Sequence, residues 1–233
     1  MVVAAALVGA LSRHPMLLGR PDPKPRSMLG VALLDDHPAV LAGLRRLIEP
    51  QPDMKVIAAA ATAGELARRL DGGGTDVLVL DYDLVGGDGL SLCQRIKRRP
   101  QPPAVVIYSA YAGDALALAA RAAGADGIVH KSDPVERLLT AIRGAATGEL
   151  VMPALPHDAY QFAAAALDDE DLPVLALLLD RTPIDAIANA LRISETQASW
   201  QAQRIVGRLR PRLTARFEDH GTRAARRARS GRS

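Results

Sequence analysis

Between residues 29 and 148, short apolar runs alternate with longer stretches in which apolar positions recur at a spacing near 3.6. The runs fall at 31–34, 55–60, 77–81, 104–109 and 127–130, and the intervening stretches at 38–48, 64–70, 89–98, 115–123 and 135–146. In the first of these stretches Leu41, Leu44, Leu47 and Ile48 share a face, with Arg45 and Arg46 opposite. That spacing is helical. The run Val77-Leu78-Val79-Leu80 is apolar at every position, as a strand covered on both faces can be. Five strands alternating with five helices predict a doubly wound α/β fold with a parallel sheet. Sites in such sheets form beyond the carboxyl ends of the strands. The residues there are Asp35 and Asp36, Asp81, Ser109 and Lys131.

The pattern then changes. Residues 149–166 contain Pro153, Pro156 and an alanine-rich piece and read as a linker. From 167 to 209 the apolar spacing is helical throughout, with breaks near Thr182-Pro183 and at Arg192-Ile193-Ser194. One face carries Val174, Leu175, Leu177 and Leu178, and a second Ile184, Ile187, Ala188 and Leu191. Ser194 is placed to cap a third helix. That helix directs Ala198, Ala202, Ile205, Val206 and Leu209 inward, leaving Ser199, Trp200, Gln203 and Arg204 to face outward. A short helix, a tight turn and a longer polar helix describe a small all-α helix-turn-helix unit. Ser199, Trp200 and Gln203 are expected near base edges, and Arg204, Arg208 and Arg212, which continue one face, near phosphates. A three-helix bundle that binds another protein is the alternative, and Trp200 could equally be partly core.

Composition narrows the class. The chain has 233 residues, 48% hydrophobic and 24% charged, with 3% aromatic. It can build aliphatic cores and is neither a disordered tail nor a membrane protein. The single cysteine, Cys93, excludes an intramolecular disulfide framework and fits a reducing cytoplasm. Net charge is only +3, but residues 192–233 hold eleven arginines against three acids. That segment therefore carries +8 and residues 1–191 the remaining −5, which points to a polyanionic partner for the end alone. Residues 1–27 open with an apolar stretch that lacks preceding basic residues and is too short to span a bilayer. They read as a disordered leader or an over-extended start, with Met28 directly before the first strand. The expected units are thus 28–148, a linker 149–166, the helix-turn-helix 167–212 and a basic tail 213–233.

The strand-end residues carry chemistry. Asp35, Asp36 and Asp81 offer the oxygen ligands Mg²⁺ prefers. A carboxylate can also act as nucleophile and form an acyl phosphate, whose oxygens the metal, Lys131 and the Ser109 hydroxyl would hold. Any one aspartate at a strand end can be merely a helix cap; the five groups together are what point to a site. Asp88-Gly89 reads as a turn and helix start, His37 as a solvated helix-start residue, and Cys93 as core.

These residues carry a resemblance. Leu33-Leu34-Asp35-Asp36-His37-Pro38, Val77-Leu78-Val79-Leu80-Asp81 with Asp88-Gly89, Ile107-Tyr108-Ser109-Ala110, and Gly124-Ala125-Asp126-Gly127-Ile128-Val129-His130-Lys131 resemble, in order, the four segments of response-regulator receiver domains. The run Ile187-Ala188-Asn189-Ala190-Leu191-Arg192-Ile193-Ser194-Glu195 resembles the LuxR-type module of the NarL/FixJ family. The resemblance implies phosphorylation of Asp81 by a sensor histidine kinase. It further implies Mg²⁺ held by Asp35, Asp36, Asp81 and the main-chain carbonyl of Asp83, and phosphoryl binding by Ser109 and Lys131. Ser109 and Ile128 would be the switch positions, double-stranded DNA the target, and a homodimer the active form.

Five departures stand out. Val85 replaces a usual proline and Ile128 a usual aromatic, while Arg181 replaces a turn glycine. Gln197, Ala198 and Gln201 replace the module's Thr, Val and His, and Pro211 with an arginine-rich tail stands where a fourth helix is usual. Val85 and Ile128 support a rival reading, an orphan regulator that binds DNA without phosphorylation. A phospho-dependent protein-interaction module is a second rival. Nothing in the pattern suggests a metabolic enzyme.

Overall fold

The computed structural model describes residues 28–210 except Gly86, Ala112 and Pro156. The leader 1–27, the tail 213–233 and Arg212 lie outside the described residues.

Five parallel strands, β1 (Leu29–Leu34), β2 (Met54–Ala60), β3 (Val77–Asp81), β6 (Ala104–Ser109) and β7 (Gly127–His130), form one sheet in the order β2-β1-β3-β6-β7. Side chains alternate across a strand, and the two faces of this sheet are both apolar. Val31, Leu33, Val77, Val79 and Val106 meet helices α1 (Pro38–Ile48) and α5 (Val135–Ala146). Ala32, Leu34, Leu78, Leu80 and Ile107 meet α2 (Ala63–Leu70), α3 (Gly89–Lys97) and α4 (Asp114–Ala122). Cys93 is fully buried here, and burial pushes its thiol up to about 12, so it packs rather than reacts. A two-stranded hairpin, β4 (Asp83–Leu84) with β5 (Gly87–Asp88), projects beyond β3. Asp88 caps α3, its carboxylate accepting from Leu90 N–H (3.0 Å) and the Ser91 hydroxyl (2.7 Å).

The stretch read as a linker holds more structure than its prolines suggest. Val151 bridges to Gly127 beside β7, and α6 (His157–Ala166) follows. Ala159, Ala163 and Leu167, spaced four apart, are buried, and α6 packs against α4. Then come α7 (Leu172–Leu179), α8 (Ile184–Leu191) and α9 (Glu195–Leu209), with the expected turn at 192–194 and Ser194 Oγ accepting from Gln197 N–H (3.1 Å).

The C-terminal helices do not stand apart. α9 packs against α4 and α3 as well as α7 and α8. The buried Ala198, Ala202, Ile205, Val206 and Leu209 join the same apolar cluster as Leu90, Leu116 and Leu118. No described helix is long and apolar enough to cross a membrane.

Candidate functional site

Strand parity sets the site. Asp35 continues the alternation of Val31 and Leu33, Asp81 that of Val77 and Val79, and Lys131 that of Val129, so all three emerge on one side of the carboxyl edge. Lys131 Nζ sits 2.7 Å from Asp35 Oδ2 and 3.1 Å from Asp81 Oδ1. Both carboxylates are almost wholly buried, at 1% and 3% exposure. Burial pushes the Asp81 carboxyl up and the Asp35 charge adds to this; Lys131 and the N–H of Asp83 pull the other way without cancelling it. Burial alone would push the Lys131 amine down, but its contacts to Asp35 and Asp81 outweigh that and hold it above the usual lysine value. Its ammonium also lies 5.7 Å from the Tyr108 ring centroid.

Asp36 Oδ2 accepts from Val85 N–H (2.8 Å), tying the β4–β5 hairpin to the end of β1. Val85 itself is 90% exposed. Asp36 Oδ1 lies 2.7 Å from His37 Nδ1 but in no direction that makes a hydrogen bond, so this buried oxygen is unpaired. His37 is 68% exposed, as a solvated helix-start residue would be, yet its ring folds back onto Asp35 and Asp36 and joins the cluster. The sequence signal for that was its place directly after two aspartates.

Ligand atoms of Asp35, Asp36, His37 and Asp81 all lie within 4.8 Å of one another. Three carboxylates facing one ammonium and an orphaned buried oxygen fit a hard divalent cation with oxygen ligands. Asp83 is exposed in the hairpin, with its N–H directed at Asp81.

Ser109 is fully buried, its Oγ accepting from Tyr111 N–H (2.9 Å). Ile128 pairs with Ile107 and packs against the α3–α4 cluster. The two proposed switch positions therefore share the face on which the C-terminal helices dock.

Gly89 lies directly behind the central aspartate. A Cβ there would sit 2.3 Å from the Asp81 carbonyl oxygen and 3.0 Å from Tyr82 Cα. Backbone cannot yield as a side chain end can, so Gly89→Ala should cost about 1–3 kcal/mol, read as a lower urea midpoint. An unchanged midpoint would contradict so close an approach.

The helix-turn-helix residues divide. Trp200 is 57% exposed and stacks with Arg204, 4.7 Å from its ring centroid. Ser199 is half-buried. Gln203 faces Arg98, the residue after α3, 2.9 Å away when its amide is turned so that the oxygen accepts. Arg204 pairs with Asp171 (2.5 Å) and Glu170 (2.8 Å), and Arg208 with Asp168 (2.7 Å). Both arginines are thus engaged by the turn before α7 rather than free in solvent.

A second charged cluster escaped the sequence reading. Asp126, fully buried, accepts from Val105 N–H (2.7 Å) and from Lys97 Nζ (2.7 Å), and also pairs with Arg181 from the C-terminal helices. Arg181 takes a left-handed backbone, φ 61°. That is the conformation a glycine serves at a helix C-terminus. Nearby, Gln94 Nε2 donates to Ala202 O (2.9 Å) and Arg121 Nε to Leu179 O (2.9 Å). A cavity of about 210 Å³ remains between the two sides, lined by Lys97, Arg98, Gly124, Arg181 and Thr182 among others. The signal that could have found this contact was an arginine at a turn position suited to glycine.

Comparison with known proteins follows the same lines. The response regulator receiver domain family matches residues 31–143. The chain is 31% identical to the nitrate/nitrite response regulator protein NarP of Escherichia coli over 194 residues, 78% of this chain and 89% of that protein. It is 27% identical to the DNA-binding transcriptional activator DevR/DosR of Mycobacterium tuberculosis, over 78% of this chain and 88% of that one. Among solved structures, a LuxR-family two-component response regulator from Aurantimonas is 35% identical with a TM-score of 0.52, covering 61% of this chain and all of that one.

Proposed function

The chain belongs to the response regulators of the NarL/FixJ type, and on that premise we propose that Asp81 accepts a phosphoryl group from a sensor histidine kinase and that α9 reads double-stranded DNA. The observation that carries the first half is Lys131 Nζ held between the buried carboxylates of Asp35 and Asp81. The Asp81 carboxylate attacks phosphorus; the new P–O bond forms as the donor's P–N bond breaks and its imidazole leaves. Lys131 and the Ser109 hydroxyl hold the phosphoryl oxygens. Asp35, Asp36, Asp81 and the main-chain carbonyl of Asp83 would hold Mg²⁺, whose charge neutralisation assists the transfer.

We assign the receiver to residues 28–148, the connection to 149–166 and the DNA-binding unit to 167–212, with 1–27 a leader and 213–233 a basic tail. DevR/DosR, the relative described as a DNA-binding transcriptional activator, supports the assignment of the second unit. A helix entering the major groove needs its outward face clear. Here α3 and α4 cover one flank of α9, and Gln203 is held by Arg98. We read this as the resting arrangement. Phosphorylation would shift the population toward one with α9 released, acting as a homodimer on DNA in the cytoplasm. Ile128 favours one second reading, DNA binding without phosphorylation, because no aromatic ring is available at that switch position.

The test is binding to a duplex selected from genomic fragments and to its scrambled form, with and without acetyl phosphate, at several salt concentrations. Acetyl phosphate should tighten binding to the selected duplex. Gln203→Ala should relax preference at one base pair by about 1–3 kcal/mol while leaving the salt slope nearly unchanged. Equal loss on both duplexes would remove Gln203 from base reading, and a wild type with no sequence preference would overturn specific regulation.

A further inference from the structure

We propose that His130 is a positioning residue for phosphoryl transfer at Asp81, its imidazole bracing the segment that carries Ser109 against the one that carries Lys131. This rests on the reading of Asp81 as acceptor. The β6–β7 ladder pairs Ser109 with His130 and ends where Lys131 N–H donates to Ser109 O (2.7 Å). Beyond that rung the strands part, and the next carbonyl, Ala110 O, meets the His130 ring, with Nε2 at 2.8 Å. On its other side Nδ1 meets Ser132 N–H (3.1 Å) and Ser132 Oγ (2.5 Å). One half-buried ring thus spans from the residue after Ser109 to the residue after Lys131.

The partners dictate the form of the ring. A carbonyl only accepts, so Nε2 carries the hydrogen; a backbone N–H only donates, so Nδ1 is bare. The brace therefore requires neutral imidazole, because a proton on Nδ1 would set two N–H groups face to face. The backbone N–H of His130 donates to the Asp133 carboxylate (3.1 Å), which also pairs with Arg137. Each of the ring's own hydrogen bonds goes to Ser132 or Ala110.

Ser109 and Lys131 must approach one phosphoryl group from two strands, so their relative placement sets the rate. A displacement of about 1 Å can cost on the order of 100-fold. The brace stands at the residue before the lysine, on side chains outside both the metal set and the phosphoryl-binding pair proposed above.

The experiment is the rate of labelling of the full chain by acetyl phosphate with Mg²⁺, for wild type, His130→Ala and His130→Gln. His130→Ala should label about 10-fold more slowly or worse, with Mg²⁺ affinity little changed. His130→Gln keeps a donor for Ala110 O and an acceptor for Ser132 N–H and should label within ~3-fold of wild type. A merely structural role would not separate His130→Gln from His130→Ala when both fold alike. Wild-type rates in His130→Ala, or rates in His130→Gln as slow as those in His130→Ala, overturn the proposal. Should His130→Ala fail to fold, His130→Gln decides alone, and labelling more than about 10-fold below wild type overturns the proposal. Absence of label in the wild type is a different failure, that of Asp81 as acceptor, and takes this inference with it.

Discussion

Incubated with acetyl phosphate and Mg²⁺, the wild-type chain should gain one labile phosphoryl group, and the Asp81→Asn variant none. The side chains differ in shape by almost nothing, but the amide is neither a nucleophile nor an anionic metal ligand. Label that persists in Asp81→Asn would move the acceptor elsewhere, with Asp35 and Asp36 the next carboxylates to test. The same substitution has an independent readout in stability. Burial, with the Asp35 charge, holds the Asp81 carboxyl above its usual value of 3.8. The folded chain therefore binds this proton more readily than the unfolded one. Its linkage contribution is absent well below 3.8 and becomes a growing penalty as pH rises through the raised folded value. In metal-free buffer near pH 7, Asp81→Asn should consequently melt higher than wild type, and the difference should shrink on acidification toward pH 4 or on adding Mg²⁺. A variant that melts lower at pH 7 would show that the Lys131 contact outweighs burial.

Arg181→Gly should loosen the C-terminal helices from the α/β unit without unfolding either. Two effects oppose each other. Left-handed backbone costs a non-glycine residue about 1–2 kcal/mol, so glycine relieves the turn. The guanidinium's pairing with buried Asp126 is lost, though the carboxylate keeps Lys97 and Val105 N–H. A charge-assisted contact contributes about 1.5–3 kcal/mol, and this one acts only when the helices are docked. The ratio of docked to open chains should fall by roughly 10-fold or more. Small-angle scattering should show a larger radius of gyration, and the selected duplex should bind without phosphodonor. An unchanged radius together with unchanged binding would mean that apolar packing of α9 on α4, with Gln94 and Arg121, holds the closed arrangement unaided.

Much of this protein was legible as pattern. Strands appear as period-2 or fully apolar runs and helices as 3.6-residue stripes, so 77–81 and 38–48 declared themselves. Asp35, Asp36, Asp81, Ser109 and Lys131 were legible as strand-end groups because parallel sheets gather strand ends at one edge, and of these Asp35, Asp36, Asp81 and Lys131 come together there. The helix at His157–Ala166 was not legible: Pro153, Pro156 and a string of alanines look like a linker, and only packing against α4 turns Ala159 and Ala163 into a buried stripe.

The sequence by itself determined the α/β alternation, the five groups at the carboxyl edge and the turn that opens α9, because each depends on residues close together in the chain or on a rule of sheet topology. Tertiary structure alone decided the rest. Arg204 and Arg208, which looked free for phosphate, find Asp168, Glu170 and Asp171, more than thirty positions earlier. His37 turns onto the carboxylates, and His130 finds Ala110 across two strands. Asp126 meets Arg181, 55 residues on, only because α9 and its neighbours lie on α3 and α4. A charged side chain takes the nearest partner in space, and periodicity carries no information about which distant partner that is.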